Sequence, residues 1–331
     1  RGKFSNAIKL GSGVTNSLIT NNIITQSVVG IKEEFNATSN TYSGNTISNS
    51  GTAMQLEGKQ GTVISSTIRQ NTLGIVTGTN PSGVTATTPN AVCSSGMATN
   101  YCPPFQAYPI FCSQPQSGQI YTIQSNTITN NDKGILVWAL DTQILRNTIN
   151  GNQVGIEANG IYVGTEINPT FFPPGTCTML NVQEYFESGS QIIMNTINNN
   201  KLTGIQLKGR TTYFGQSSIP YQRSTNIAQN LISSNGQPGT QYGNGIVAGT
   251  QGSQYLSPTH SFFIPIWGEY TNINNNRILS NINDGIVLKN VQGMTDIVGN
   301  TINLNGRNGI SVGSNIQSTQ SQGFFMDWAS T

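Results

Sequence analysis

Isoleucine and asparagine recur along the chain in a fixed relation. Ile24, Ile47, Ile68, Ile128, Ile149, Ile197, Ile232, Ile278 and Ile302 mark nine units, and the residue two places before each is Asn in eight of them, with Ser66 the departure. Five residues after that leading position stands a second polar column: Asn71, Asn131, Asn152, Asn200, Asn235, Asn281 and Asn305, with Ser27 and Ser50 in the first two units. A Gly-Ile pair follows, as in Gly30-Ile31, Gly134-Ile135 and Gly309-Ile310; only the second unit replaces it, with Ala53-Met54.

Uninterrupted units start 21 to 24 residues apart, for example Asn126 to Asn147 and Asn276 to Asn300, and a period of that length marks a solenoid. The apolar runs are only three to five residues long, rich in Ile, Val, Leu and Thr and punctuated by Gly and Asn. Such runs predict strands rather than helices. Short strands stacked at about 4.8 Å per coil make an all-β parallel β-helix, here of about nine to ten coils around columns of Ile. The second polar column predicts Asn in a left-handed turn, its amide bonded to the same amide one coil above and below. Gly before Ile predicts a tight turn into the next strand.

The pattern resembles the right-handed parallel β-helix superfamily, the pectate-lyase-like repeat fold shared by polysaccharide lyases, glycoside hydrolases, epimerases, phage tailspikes and many surface proteins. The resemblance spans nearly the whole chain and implies the fold; this fold hosts unrelated activities, so it does not imply one function. Most of the repeated residues build the core and the turns.

Function is therefore sought where the repeat is broken. From the Gly-Ile strand to the next leading Asn, undisturbed units take 12 or 14 residues, but Ile75 to Asn126 takes 51, Ile156 to Asn195 takes 39, Ile205 to Asn230 takes 25 and Ile246 to Asn276 takes 30. These define insertions at approximately 77–118, 157–190, 208–226 and 248–272, all leaving the coil from one sector and so building one side. They carry "CPPFQAYPIFC" (102–112), "NPTFFPPGTC" (168–177), "YFGQSSIPY" (213–221) and "SFFIPIWGEY" (261–270), aromatic segments suited to stacking on sugar rings or packing against another subunit.

Cys93, Cys102, Cys112 and Cys177 all lie in insertions, an even number that points to disulfides and an extracellular or cell-surface setting. Three pairings exist, and spacing favours Cys93 with Cys102 and Cys112 with Cys177. No C-x-x-C occurs and His260 is the only histidine, so no zinc site and no cofactor are expected. Asn36-Ala37-Thr38 is a glycosylation sequon, with Asn36 the acceptor.

An enzyme of this superfamily pairs a basic residue with calcium-binding carboxylates or uses close Asp pairs. The thirteen acidic residues here are scattered, adjacent only at Glu33-Glu34, and neither the Asp-Asp and Gly-His-Gly motifs of the hydrolases nor the Asp-Pro-His-Asp motif of the epimerases has a counterpart. No catalytic residue is favoured. The fallback is Lys208 and Arg210 in "GIQLKGR", one coil from Glu157 in "GIEANG", with Lys as base and Arg as stabiliser for β-elimination; a solvated pair of cations is the plainer reading.

Charge narrows the partners. A balance of 15 basic and 13 acidic residues in 331, without a basic cluster, leaves no footprint for nucleic acid or an anionic membrane surface. The longest apolar run, "ILVWAL" at 135–140, is far short of the roughly 20 residues that cross a bilayer. "NAIKL" at 6–10 is already in register with the later coils, which predicts an open strand edge at Asn6, Ile8 and Leu10. The aromatics Phe324, Phe325 and Trp328 in the segment 315–331 predict a cap or an assembly tail. The sequence thus points first to an extracellular structural protein that self-associates, the subunit of a filament, sheath or fibre. A polysaccharide-binding or polysaccharide-cleaving protein comes second, and a trimeric phage or viral spike third.

Overall fold

The computed structural model describes residues 4–78, 92–95, 110–113, 120–139, 141–158, 161–166, 183–186, 189–207, 225–239, 243–248, 271–289 and 295–313. Three long sheets run along one stack of coils. The first has ten strands, from Phe4–Leu10 and Ser27–Glu33 to Ile286–Lys289 and Ile310–Gly313, and it carries the Gly-Ile pairs. The second has nine, from Leu18–Thr20 to Thr295–Val298, and the third has nine, from Ile23–Thr25 to Thr301–Asn303, with the Asn-x-Ile isoleucines at its centre. Every pairing within these three sheets is parallel, each strand between its counterparts in the coils before and after, so the chain is a parallel β-helix.

Strand alternation sends one set of side chains into the lumen. In the third sheet Ile128, Ile149 and Ile197 stack in register; in the first, Ile135, Ile156 and Ile205 do; in the second, Ile123, Ile144 and Ile192 do. All nine are completely buried, and burying each contributes about 2 kcal/mol. The second sheet's column is more varied, with Tyr42 and Val63 among its members. That variety hid the column from a search for exact repeats.

Both polar columns form ladders. Asn126, Asn147, Asn195, Asn230, Asn276 and Asn300 make one and Asn71, Asn131, Asn152, Asn200, Asn235, Asn281 and Asn305 the other. In each rung the backbone N–H and the side-chain Nδ2 both donate to Oδ1 of the next coil's Asn, as Asn152 does to Asn200 at 3.1 Å from each. The same Nδ2 also donates backward to a core Ile carbonyl, Ile128 in the case of Asn152 at 3.1 Å. One amide therefore ties three coils together.

The left-handed residue is not the ladder Asn but the one before it. Gln70, Asn130 and Asn199 precede Asn71, Asn131 and Asn200 with φ of 57°, 57° and 51°, and Gly151 precedes Asn152 with φ of 68°. Arg146 and Met194 do the same for the leading column, at φ of 54° and 58°. The preceding residue takes the strain of the corner, which leaves the Asn free to aim its amide along the stack. The glycine of the Gly-Ile pair also serves another purpose than the expected turn. A Cβ on Gly155 would stand 2.5 Å from the Gly204 carbonyl oxygen and 3.0 Å from Ile197 Cγ2, so adjacent coils meet too closely there for any side chain.

Asn152→Leu removes the Oδ1 that accepts from the Asn131 backbone N–H and Nδ2, and the Nδ2 that donates to Ile128 O and Asn200 Oδ1, leaving Asn200 Oδ1 only the backbone N–H of residue 152 in a buried corner. It should cost roughly 3 kcal/mol or more at 1 to 3 kcal/mol for each unsatisfied group, read as a lower denaturant midpoint. An unchanged midpoint would mean that the ladder adds nothing to stability.

Candidate functional site

Three places hold chemistry beyond the scaffold. The first is the outward side of the first sheet, from which the insertions depart: its strands Leu73–Thr77, Val154–Ala158, Thr203–Leu207 and Asn244–Ala248 end where the insertions begin. Lys32, Gln55, Val76, Leu136, Glu157, Gln206, Val247 and Val287 alternate outward along it. Val76, Leu136, Glu157, Val247 and Val287 are nonetheless buried, so the middle of this face is closed to solvent. Glu157, singled out in the sequence, accepts a hydrogen bond from Lys133 Nζ at 2.8 Å. Lys133 comes from the preceding coil, at the register position of Val154. A buried carboxylate neutralised by a lysine is poorly placed to act as an acid or base on a substrate.

Sequence reasoning missed Lys133. The signal was its place in the preceding coil, level with Val154 and three residues before Glu157 in register, a gap that the long lysine side chain spans. Lys208, Arg210 and His260 lie outside the described residues, as do Cys102, Cys177, Phe324, Phe325 and Trp328. Cys93 and Cys112 lie in short strands, Val92–Ser95 and Ile110–Ser113. Asn36 occupies an exposed turn with φ of 68°, a position open to modification. Asn6, Ile8 and Leu10 belong to the edge strand of the first sheet; Ile8 and Leu10 turn toward the core, Leu10 being buried.

The second place is inside the lumen. Glu33 falls two residues after Ile31, so alternation turns it inward, where it is completely buried. Asn40 Nδ2 donates to Oε1 at 2.7 Å and the Tyr121 hydroxyl to Oε2 at 2.8 Å. A Cβ on Gly58 would stand 2.8 Å from the Glu33 carboxyl carbon, so glycine is required there. The Tyr42 hydroxyl faces the same carboxyl without a hydrogen bond of acceptable geometry. Burial pushes the Glu33 carboxyl above its ordinary value of 4.5, and the hydrogen bonds from Asn40 and Tyr121 oppose that shift without cancelling it. Burial and the neighbouring carboxylate push both tyrosines up as well. A perturbed carboxyl in a cleft would suggest catalysis; this one has no access to solvent and serves the core.

The third place is the outward side of the third sheet. Thr46, Thr67, Thr127, Thr148 and Thr196 follow one another in register over five coils, and Ser48, Arg69, Thr129, Asn150 and Asn198 form the column beside them. Arg69, Thr127 and Thr148 are exposed, Thr46, Thr67, Thr129, Asn150, Thr196 and Asn198 are half-buried, and Ser48 is buried. The result is an array of hydroxyl and amide groups repeating at about 4.8 Å, with Arg69 the single charge in these two columns over these coils. Among the described residues no group of three or more His, Cys, Asp or Glu is arranged to hold a metal ion.

No protein-family model and no curated protein matches the chain. Among solved structures it is similar to two mutant forms of the periplasmic alginate epimerase AlgG, at 13% and 14% identity, each over 95% of this chain and 69% of the other, with TM-scores of 0.33 and 0.32. A likeness this distant carries no argument, and the fold stands on the sheet topology.

Because the folded-state value of Glu33 is raised, its contribution to stability is complete below the unfolded value and is lost as pH rises through the folded one. Glu33→Gln removes the cost of a buried charge. It should raise the melting temperature at pH 8, with the gain shrinking toward pH 4; a melting temperature lowered at pH 8 would show that the pocket prefers the carboxylate.

Proposed function

We propose that this chain is an extracellular β-helix that binds a polysaccharide along the outward side of its third sheet. The observation that supports this reading is the register of Thr46, Thr67, Thr127, Thr148 and Thr196 over five coils. A sugar polymer presents hydroxyl groups at a regular repeat, and hydroxyl and amide side chains can both donate to and accept from them. Strands fixed by the ladder hold these groups before a ligand arrives, so little ordering entropy is lost on binding. Each hydrogen bond contributes only about 1 kcal/mol net, so affinity comes from repetition along the array. Over these five coils the two columns carry one charge, Arg69, which suits a neutral polymer better than a highly charged one.

The proposal is for binding rather than cleavage. Glu157 is buried and paired with Lys133, and nothing in the reading depends on Lys208 or Arg210.

A second reading, a subunit that self-associates, is favoured by the ends of the described stack. Phe4, Leu18 and Ile23 in the first coil are 75%, 66% and 82% exposed, and Val298 and Leu304 in the last are 59% and 75% exposed. Exposed apolar side chains such as these suit contact with another copy of the chain.

Co-sedimentation with insoluble neutral and acidic polysaccharides separates the two. Binding to a neutral polymer should weaken at least tenfold in a Thr127→Asp, Thr148→Asp double variant and stay unchanged in Gln143→Asp, which alters the second sheet's outward side. Equal binding by the double variant would overturn the assignment of the face. Regular polymers in negative stain, together with no binding to any polysaccharide, would put the self-association reading first.

A further inference from the structure

We propose that Cys93 and Cys112 form a disulfide that closes the first insertion into a covalent hairpin, which leaves Cys102 and Cys177 to pair with each other. The inference rests on strand register. Val92–Ser95 and Ile110–Ser113 run antiparallel, with Val92 opposite Ser113, Cys93 opposite Cys112, Ser94 opposite Phe111 and Ser95 opposite Ile110. Directly opposed residues in an antiparallel pair have Cα atoms about 4.5 to 5.5 Å apart. A disulfide requires about 4.4 to 6.8 Å, so either kind of opposed pair meets the backbone condition.

The same strand has a second neighbour. Ile110–Ser113 pairs antiparallel with Ile161–Glu166, which pairs in turn with Gln183–Phe186, so the first two insertions share one four-stranded antiparallel sheet. On that side the residue opposite Cys112 is Gly164. Cys93 is therefore the one cysteine placed across from Cys112 by the sheet. The spacing-based pairing of Cys93 with Cys102 and Cys112 with Cys177 would separate two residues that the ladder holds opposite each other.

Topology bears on the second pair as well. Ser95 is level with Ile110 and Ile110 with Glu166, so the connection 96–109 and the connection 167–182 both leave from the same end of the sheet. Cys102 belongs to the first connection and Cys177 to the second. With Cys93 and Cys112 joined, these two are the remaining partners by count.

Formation of each bond removes two electrons and two protons from two thiols. Thiol–disulfide exchange supplies the balance: a disulfide of an oxidoreductase or small molecule is reduced to its dithiol as the protein's sulfurs join. The proposal thus carries a setting with it, an oxidising compartment.

The test is a map of the full chain secreted into an oxidising medium. Free thiols are alkylated at acid pH, the chain is digested with pepsin without reductant, and linked peptides are identified by mass spectrometry. The expected result is a Cys93 peptide linked to a Cys112 peptide and a Cys102 peptide linked to a Cys177 peptide, both released by reduction. Either other connectivity, or four alkylated cysteines, overturns the proposal. A Cys93→Ser variant, alkylated after denaturation, gives a reading that does not depend on stable folding: the label should fall on Cys112. Label on Cys102 or Cys177 instead would overturn the pairing.

Discussion

Buried amides that reach both ways along the stack hold the structure in register. A parallel β-helix needs a sharp corner at each change of sheet, and a corner leaves backbone groups without the partners that a strand would supply. Here the Asn side chain supplies them. Asn147 takes its place between Ile123 and Asn195, and Asn152 between Ile128 and Asn200, each at about 3 Å. A slip of one residue would set a ladder amide against an apolar neighbour and an isoleucine toward solvent, so polar and apolar columns enforce the same register. Insertions are tolerated because they leave between a Gly-Ile strand and the next strand of the second sheet, at a corner that carries neither ladder.

The lumen and the outer faces obey different rules. Inside, side-chain identity is nearly uniform, and the exceptions come as a set: Glu33, Asn40, Tyr42, Tyr121 and the space at Gly58 replace apolar packing with a small polar cluster. Outside, the first sheet is largely buried at its middle and carries the Lys133 and Glu157 pair, while the third sheet leaves Arg69, Thr127 and Thr148 exposed and most of their neighbours half-buried. Of these two sheets, the first borders the sector from which the insertions leave and the third does not.

The period, the strands and two of the three core columns were readable directly from Ile and Asn spacing. The third column was not, because Tyr42 and Val63 break its identity while keeping its burial. The ladder was legible, but its geometry was assigned one residue late: the left-handed corner falls on residues as different as Gln70, Arg146, Met194 and Leu304, so composition gave no hint of it. Glu157 was found and its partner Lys133 was not, since a contact between adjacent coils appears in sequence as a separation of 24 residues. The sheet shared by two insertions was invisible for a similar reason: its four strands lie outside the repeat that reveals everything else.

The ladders also give the molecule a direction. Every Asn in them donates toward the next coil and accepts from the previous one, so the side-chain dipoles add rather than cancel, as peptide dipoles do in an α-helix. The strands cannot offset this, because N–H groups alternate up and down along each of them. The stack is therefore an electrical vector, with partial negative charge toward Asn22 and partial positive charge toward Asn305. Its two ends would be distinguishable to an approaching ion even if every ionisable side chain were removed.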